Sequence, residues 1–213
     1  MEKYIEHTLL KQDAREEDLI KLFNEAKEHK FFGVCVNPCY VTFAKENLKN
    51  SDVKIVTVIG FPLGANTTDV KVFETKKAIE DGADEIDMVI NVTLLKDKKF
   101  DLIVNEIKKI KAACGEHNLK VILETDLLEK DEIKKACELC IEGGANLVKT
   151  STGFVKNGVG AKAEDVKLMH DTVAPHGLLV KASGGIRDKE AAKAMIEAGA
   201  SRLGTSSGVK IVM

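Results

Sequence analysis

The chain has 213 residues and a formal net charge of −2, with 44% hydrophobic and 31% charged residues. This balance is typical of a folded globular protein and excludes a disordered one, and the length lies near the lower end of the ~200 to 400 residues of (β/α)₈ barrels, so we expect one domain over residues 1–213. The near-neutral charge excludes the broad basic field that attracts nucleic acid or an anionic membrane.

Targeting segments and metal-binding patterns are not evident in the sequence. Charged residues occur throughout the N-terminal segment, and no run of about 18 uncharged apolar residues follows. The five cysteines are odd in number and lie among core-type residues, which is typical of reduced thiols in a cytosol. Cys137-x-x-Cys140 has no second ligand pair nearby, so no metal site is predicted. We expect a soluble cytoplasmic protein that binds neither nucleic acid nor membrane.

Short β-branched segments alternate with longer amphipathic segments along the whole chain. The predicted strands are Tyr4–Thr8, Phe32–Val36, Lys54–Ile59, Glu85–Ile90, Lys120–Leu123, Asn146–Lys149, Leu178–Lys181 and Arg202–Gly204. Alternating strands and helices imply parallel pairing with helical crossovers, and eight such units can close into a TIM barrel. A doubly wound open sheet is the alternative fold, although no Gly-x-Gly-x-x-Gly follows an early strand.

Three predicted helices end alike, in a glycine that is followed at once by a strand. The three segments are Asp81-Gly82-Ala83, Gly143-Gly144-Ala145 and Ala198-Gly199-Ala200. Glycine readily adopts the left-handed conformation that terminates a helix. These positions therefore predict helix ends.

Three charged residues interrupt or end apolar strands. Asp87 lies within the fourth predicted strand, while Lys149 and Lys181 end the sixth and seventh. In a barrel the carboxyl ends of the strands carry the catalytic groups, and a charge in such a strand is costly unless it is paired or used. One interpretation is a structural ion pair between Asp87 and a lysine. The other is a catalytic site with Lys149 as nucleophile.

The two lysines together favour the catalytic interpretation. Neighbouring strand ends would bring Lys149 and Lys181 close, and each cation would disfavour protonation of the other. Lowering a lysine pKa from ~10.4 to ~7 requires roughly 4 to 5 kcal/mol, which burial and one like charge can supply. A neutral amine attacks a carbonyl, and a nearby carboxylate such as Asp87 can move protons directly or through water.

Glycine and hydroxyl residues follow the last two strands, where barrels often bind phosphate. The segments are Ser183-Gly184-Gly185-Ile186-Arg187 and Gly204-Thr205-Ser206-Ser207-Gly208, with Thr150-Ser151-Thr152-Gly153 able to add donors from the adjoining loop. Glycines let backbone N–H groups approach an anion, and serines donate further hydrogen bonds. Ordinary turns are the alternative for each segment alone. Two such segments after these strands favour a phosphate site.

Two other residues near strands are interpreted as structural. His7 lies in the first predicted strand, where a lone histidine is more often a satisfied core residue than a ligand. Cys35 is expected to fill space at the barrel mouth, because no adjacent base is evident that would make it a nucleophile.

Seven segments, in order along the chain, form a specific combination. They are Glu6-His7-Thr8-Leu9-Leu10, Val34-Cys35-Val36-Asn37-Pro38, Gly60-Phe61-Pro62-Leu63-Gly64, Asp84-Glu85-Ile86-Asp87-Met88-Val89-Ile90-Asn91, Val148-Lys149-Thr150-Ser151-Thr152-Gly153-Phe154, Val180-Lys181-Ala182-Ser183-Gly184-Gly185-Ile186-Arg187 and Gly204-Thr205-Ser206-Ser207-Gly208. With these segments the chain resembles the deoxyribose-phosphate aldolases over essentially its whole length, and seven segments in order are far more specific than any one of them.

The resemblance implies a class I aldolase that cleaves 2-deoxy-D-ribose 5-phosphate reversibly, without a metal or organic cofactor. It implies Lys149 as the Schiff-base lysine, Asp87 as the proton relay and Lys181 as the lysine that tunes the first. The residues that it implies for phosphate or substrate binding are Thr152, Gly153, Gly184, Gly185, Ser206 and Ser207. Glu6 departs from the family, in which an aspartate is commoner, so we expect its longer side chain to place water at the mouth differently.

Other functions fit part of this pattern. Phosphate-binding loops alone would suit another phosphosugar barrel enzyme, such as an isomerase or a different lysine aldolase, or a binding protein without enzymatic activity. The expected partners are a phosphorylated sugar and an aldehyde, and a homo-oligomer is possible.

Overall fold

The computed structural model describes Met1–Met213 and contains one closed barrel of eight parallel strands in chain order. The strands are β1 (Ile5–Leu9), β2 (Gly33–Val36), β3 (Lys54–Ile59), β4 (Glu85–Val89), β5 (Asn118–Ile122), β6 (Leu147–Lys149), β7 (Leu179–Ser183) and β8 (Arg202–Thr205). β1 pairs with β8 and so closes the ring. The predicted TIM barrel is confirmed, and the open-sheet alternative is excluded.

Helices connect the strands and surround the barrel. They are α1 (Glu16–Glu28), α2 (Val41–Asn47), α3 (Thr68–Asp81), α4 (Val92–Lys96), α5 (Phe100–Cys114), α6 (Lys130–Gly143), α7 (Ala163–Val173), α8 (Lys189–Glu197) and α9 (Gly208–Val212). None of them combines the length and apolar character needed to cross a lipid bilayer.

All eight strands lie within about two residues of their predicted bounds, and β3 matches residue for residue. The glycine signals are also confirmed. Gly82 and Gly144 follow α3 and α6 with φ of 109° and 78°, and Gly199 follows the end of α8 with φ of 107°. These helix ends could be predicted from the sequence because a left-handed residue is a local requirement.

Two hydrophobic clusters divide the apolar interior. The larger, of 47 buried residues, includes the inward stripes of the helices, such as Leu19, Leu22 and Phe23 of α1. The smaller contains only Leu10, Cys35, Val56 and Val58, with Phe61 packed against it.

Strand register explains why charged groups meet within the barrel. Side chains alternate between the two faces of a strand, and paired residues on neighbouring strands share a face. Asp87 of β4 pairs with Lys120 of β5, and Lys149 of β6 pairs with Lys181 of β7. All four are buried. The fold thus gathers charges from four consecutive strands.

Candidate active site

Asp87 joins the two lysines that the sequence singled out. Its Oδ2 accepts hydrogen bonds from Lys149 Nζ at 2.9 Å and from Lys181 Nζ at 2.7 Å. The three residues are between 0% and 3% exposed. The structure therefore brings the predicted catalytic trio into direct contact, with both ammonium groups on one carboxylate oxygen.

Three further charged residues complete this cluster. Lys120 and Glu85 were not predicted as members of the site, and Glu6, expected to influence water at the mouth, is instead fully buried and does not line the cavity. Lys120 Nζ lies 2.9 Å from Asp87 Oδ1, 2.6 Å from Glu85 Oε2 and 3.5 Å from Glu6 Oε1. Glu6 also accepts a hydrogen bond from Lys181. The cluster contains three lysines and three carboxylates, so its formal charges balance.

The cluster strongly perturbs its own ionisation. Burial opposes ionisation of Asp87, but the charges of Lys120, Lys149 and Lys181 hold the pKa of its carboxyl well below the usual value. Burial alone would lower the pKa of Lys181, yet Asp87 and Glu6 outweigh it and raise that pKa. Lys181 is therefore a fixed positive charge beside Lys149. The carboxylates offset part of its repulsion, and a neutral Lys149 stays a prediction.

A signal for the missing members was present in the sequence. Glu6 and Lys120 lie within predicted strands. Glu6 shares a strand face with Thr8, and Lys120 shares one with Ile122, because residues two apart point to the same side. A charged residue on the face that points into a barrel needs a partner of opposite charge. Lys120 begins its predicted strand, so a search for charges that interrupt or end apolar strands passes over it, and Glu6 was considered only for its effect on water at the mouth.

A cavity of about 330 Å³ opens above the cluster, and Lys149 is the member of the predicted catalytic trio that lines it. Five of the six residues expected to bind phosphate or substrate line the same cavity: Thr152, Gly153, Gly184, Gly185 and Ser206. Ser207 is not among the lining residues, and its backbone N–H donates to Thr205 Oγ1 at 2.9 Å. Arg187, which ends the glycine segment that the sequence singled out, and Lys11, which was not predicted, add positive charge to the lining.

Several residues that line the cavity have backbone N–H groups without protein acceptors. The N–H groups of Gly153, Gly184, Gly185 and Ser206 make no hydrogen bond within the chain. Gly184 and Gly185 have φ of 85° and 76°, a conformation that side chains rarely adopt. Successive free amides near cationic side chains are a suitable environment for an anion.

Two remaining expectations concern residues near the cluster. His7 is buried, and its Nε2 lies 2.7 Å from Glu25 Oε2, whereas its Nδ1 is buried without a hydrogen-bond partner, so the ring is only partly satisfied. Cys35 is buried inside the barrel, where burial raises the pKa of its thiol and so disfavours a reactive thiolate. Cys137 and Cys140 are buried residues of α6, and burial raises the pKa of the Cys137 thiol to about 12.

A closed parallel barrel with a lysine in a cavity at the carboxyl ends of its strands is typical of a TIM-barrel enzyme. The family model described as "DeoC/LacD family aldolase" matches residues 2–212. The chain therefore belongs to the DeoC/LacD aldolase family, whose members are lyases.

Individual relatives agree with this assignment. The deoxyribose-phosphate aldolase of Mycoplasma capricolum is 56% identical over 100% of this chain and 95% of that protein. That of Finegoldia magna is 55% identical over 100% of this chain and 98% of that protein. The tetrameric deoxyribose-phosphate aldolase structure from Aeropyrum pernix superposes with a TM-score of 0.90 at 33% identity, covering 99% of this chain and 88% of that one.

Replacing Lys181 tests whether its charge tunes Lys149. In Lys181→Leu the neighbouring cation is lost while Asp87 and Glu6 stay, so Lys149 should hold its proton more tightly. We expect the pH at which Lys149 reacts with an aldehyde to rise by about one unit or more. Borohydride trapping across a pH series measures this shift. A profile identical to that of the unmodified chain, in a variant shown to be folded by circular dichroism, would refute the tuning role.

Proposed function

We propose that this aldolase cleaves 2-deoxy-D-ribose 5-phosphate reversibly to D-glyceraldehyde 3-phosphate and acetaldehyde, through a Schiff base on Lys149. The observation that carries the proposal is Lys149 itself. Its Nζ is hydrogen-bonded to Asp87, and the same residue lines the cavity together with Gly153, Gly184, Gly185 and Ser206, whose amides are free. Full-length relatives named deoxyribose-phosphate aldolase support this choice of substrate.

The reaction begins when neutral Lys149 adds to C1 of the open-chain sugar and water leaves to form an iminium ion. The C2–C3 bond then breaks, its electrons pass to the iminium to form an enamine, and the C3 hydroxyl loses its proton as the new aldehyde forms. Glyceraldehyde phosphate leaves. Protonation of the enamine at C2 and hydrolysis release acetaldehyde and restore the amine.

Asp87 has two roles in this scheme. Its contact with Lys149 makes it the carboxylate through which protons pass between that amine and water, while Lys181 keeps its proton. Because its pKa is held well below the usual value, it carries a proton only transiently. For most of the cycle it is an anion that stabilises the positive iminium on Lys149.

The phosphate is assigned to the free amides of Gly153, Gly184, Gly185 and Ser206. Backbone donors hold an anion without the flexibility of long side chains. Arg187 and Lys11 supply additional positive charge at the same cavity. The site therefore needs no basic surface, which fits the formal charge of −2.

Borohydride reduction in the presence of acetaldehyde tests the nucleophile. The imine should be reduced to a stable ethyl adduct on Lys149, located by mass spectrometry of peptides, and Lys149→Met should remain unmodified there. Lys54, a half-exposed lysine at the start of β3, serves as the comparison and should react far less. An unmodified Lys149 would contradict the proposal. Turnover without trapping would favour an isomerase, and sugar-phosphate binding without turnover would favour a binding protein.

Substitution of Ser206 by aspartate tests the phosphate assignment. The new carboxylate would lie beside the phosphate, and like charges at close range repel strongly. We expect kcat/KM for the phosphorylated sugar to fall by about a hundredfold, while that for unphosphorylated deoxyribose changes little. Equal losses on both sugars would count against the assignment. Ser207→Asp, outside the lining, is the matched control and should have the smaller effect.

We also propose that the enzyme works in the cytosol as one catalytic unit over residues 1–213 and associates with copies of itself. The free cysteines support a reducing compartment, and the Aeropyrum pernix relative is described as tetrameric. Light scattering of the purified chain should give a multiple of 23.3 kDa. A mass of one chain at micromolar concentration would contradict self-association.

A further inference from the structure

Glu124 is a buried carboxylate that the proposed mechanism does not use. It follows β5, is 4% exposed and adopts a left-handed backbone conformation with φ of 62°. Its Oε1 accepts the backbone N–H of Thr152 at 3.0 Å, and its Oε2 accepts the hydroxyl of Thr152. An L-residue in this conformation is strained, and such strain is often found at functional sites.

Asp126 binds the far end of the loop that contains Thr152. The loop runs from residue 150 to residue 162, between β6 and α7. The Asp126 carboxylate accepts the backbone N–H of Val159 at 3.1 Å and that of Gly160 at 2.8 Å. Two carboxylates on the segment after β5 therefore bind the loop near both of its ends.

The distal end of the loop packs directly on the glycine turn after β7. A Cβ placed on Gly160 would lie 2.4 Å from the carbonyl carbon of Gly184, so only glycine permits this approach. The N–H of Ala161 donates to the carbonyl of Gly184 at 3.0 Å. The position that Asp126 imposes on Gly160 therefore bears on Gly184, which carries one of the free amides.

The contacts of Glu124 with Thr152 leave the neighbouring backbone N–H of Gly153 without a protein acceptor. Both donors of Thr152 are directed to Glu124, and the Thr152 hydroxyl in turn accepts the N–H of Phe154 at 3.1 Å. Gly153, between them, keeps an unpaired N–H and lines the cavity. Because the N–H and the hydroxyl of Thr152 both donate to Glu124, Thr152 affects the cavity through the position of the loop backbone and not by donating to a ligand.

We propose that Glu124 and Asp126 are positioning residues that set the substrate's phosphate site by holding the loop after Lys149 against the glycine turn after β7. Neither residue lines the cavity, so they act through Gly153 and Gly184. This inference rests on the proposed function, since it assumes that the phosphate binds at those amides. It adds that phosphate binding also requires two residues that lie outside the cavity lining.

Glu124→Gln and Asp126→Asn test the inference with little change in side-chain size. The amide introduced by Glu124→Gln keeps one acceptor oxygen but replaces the other with a donor, so one charge-assisted hydrogen bond to Thr152 is lost. We expect KM for 2-deoxyribose 5-phosphate to rise by about tenfold, with kcat within about twofold, because a hydrogen bond to a charged group contributes roughly that factor or more. Kinetic constants for unphosphorylated deoxyribose should stay close to those of the unmodified enzyme.

Glu106→Gln is the matched control, because Glu106 is another buried carboxylate that accepts hydrogen bonds from two donors. It binds Lys71 Nζ at 2.7 Å and the Thr68 hydroxyl at 3.0 Å, between α3 and α5 and away from the cavity. This variant should lower the thermal midpoint of unfolding without changing the ratio of KM values for the two sugars. The control separates general destabilisation from a specific effect on phosphate.

Two results would overturn the inference. The first is an unchanged KM for the phosphorylated sugar in both variants, and the second is an equal loss of kcat/KM on both sugars. If Glu124→Gln fails to fold, Asp126→Asn gives the same readout from the other end of the loop. Failure of the proposed function is distinct, because the unmodified enzyme would then neither cleave the phosphorylated sugar nor form the ethyl adduct on Lys149.

Discussion

The buried cluster of three lysines and three carboxylates is the constraint on which the rest of the site depends. Charges inside a protein are tolerated only when they are paired, and removing one partner leaves the other exposed to the full penalty of burial. Asp87 bonds all three ammonium groups, and Lys181 bonds both Asp87 and Glu6. The cluster therefore holds Lys149 in one place while it balances its charge.

That balance is also relevant to the chemistry. If Lys149 becomes a neutral amine, the cluster carries one excess negative charge, and formation of the iminium restores neutrality. The carboxylates thus oppose the loss of a proton from Lys149 but stabilise the iminium ion that forms later. Lys181 does the reverse: its positive charge favours loss of that proton and disfavours the iminium ion. The proposed enzyme depends on this competition, which explains why a second lysine is held so firmly beside the first.

The proposed phosphate site is organised separately from the charged cluster. The free amides belong to three segments, after β6, β7 and β8, and their relative positions depend on how those segments pack. Contacts from Glu124 and Asp126 to the first segment, and from Gly160 and Ala161 to the second, link two of the three. Phosphate binding in this scheme is a property of packed loops, supported by residues that the substrate never touches.

The sequence by itself determined the eight strands, the glycine helix ends and the positions of Asp87, Lys149 and Lys181, because side-chain alternation and backbone conformation are local properties. Tertiary structure alone decided which charges meet. Lys181 contacts Glu6 across 175 residues, and this contact exists only because β8 closes against β1. Loop packing likewise gave Thr152's donors to Glu124 and left Ser207 outside the cavity lining. Partners so distant in the chain depend on ring closure and loop path, neither of which a local pattern contains.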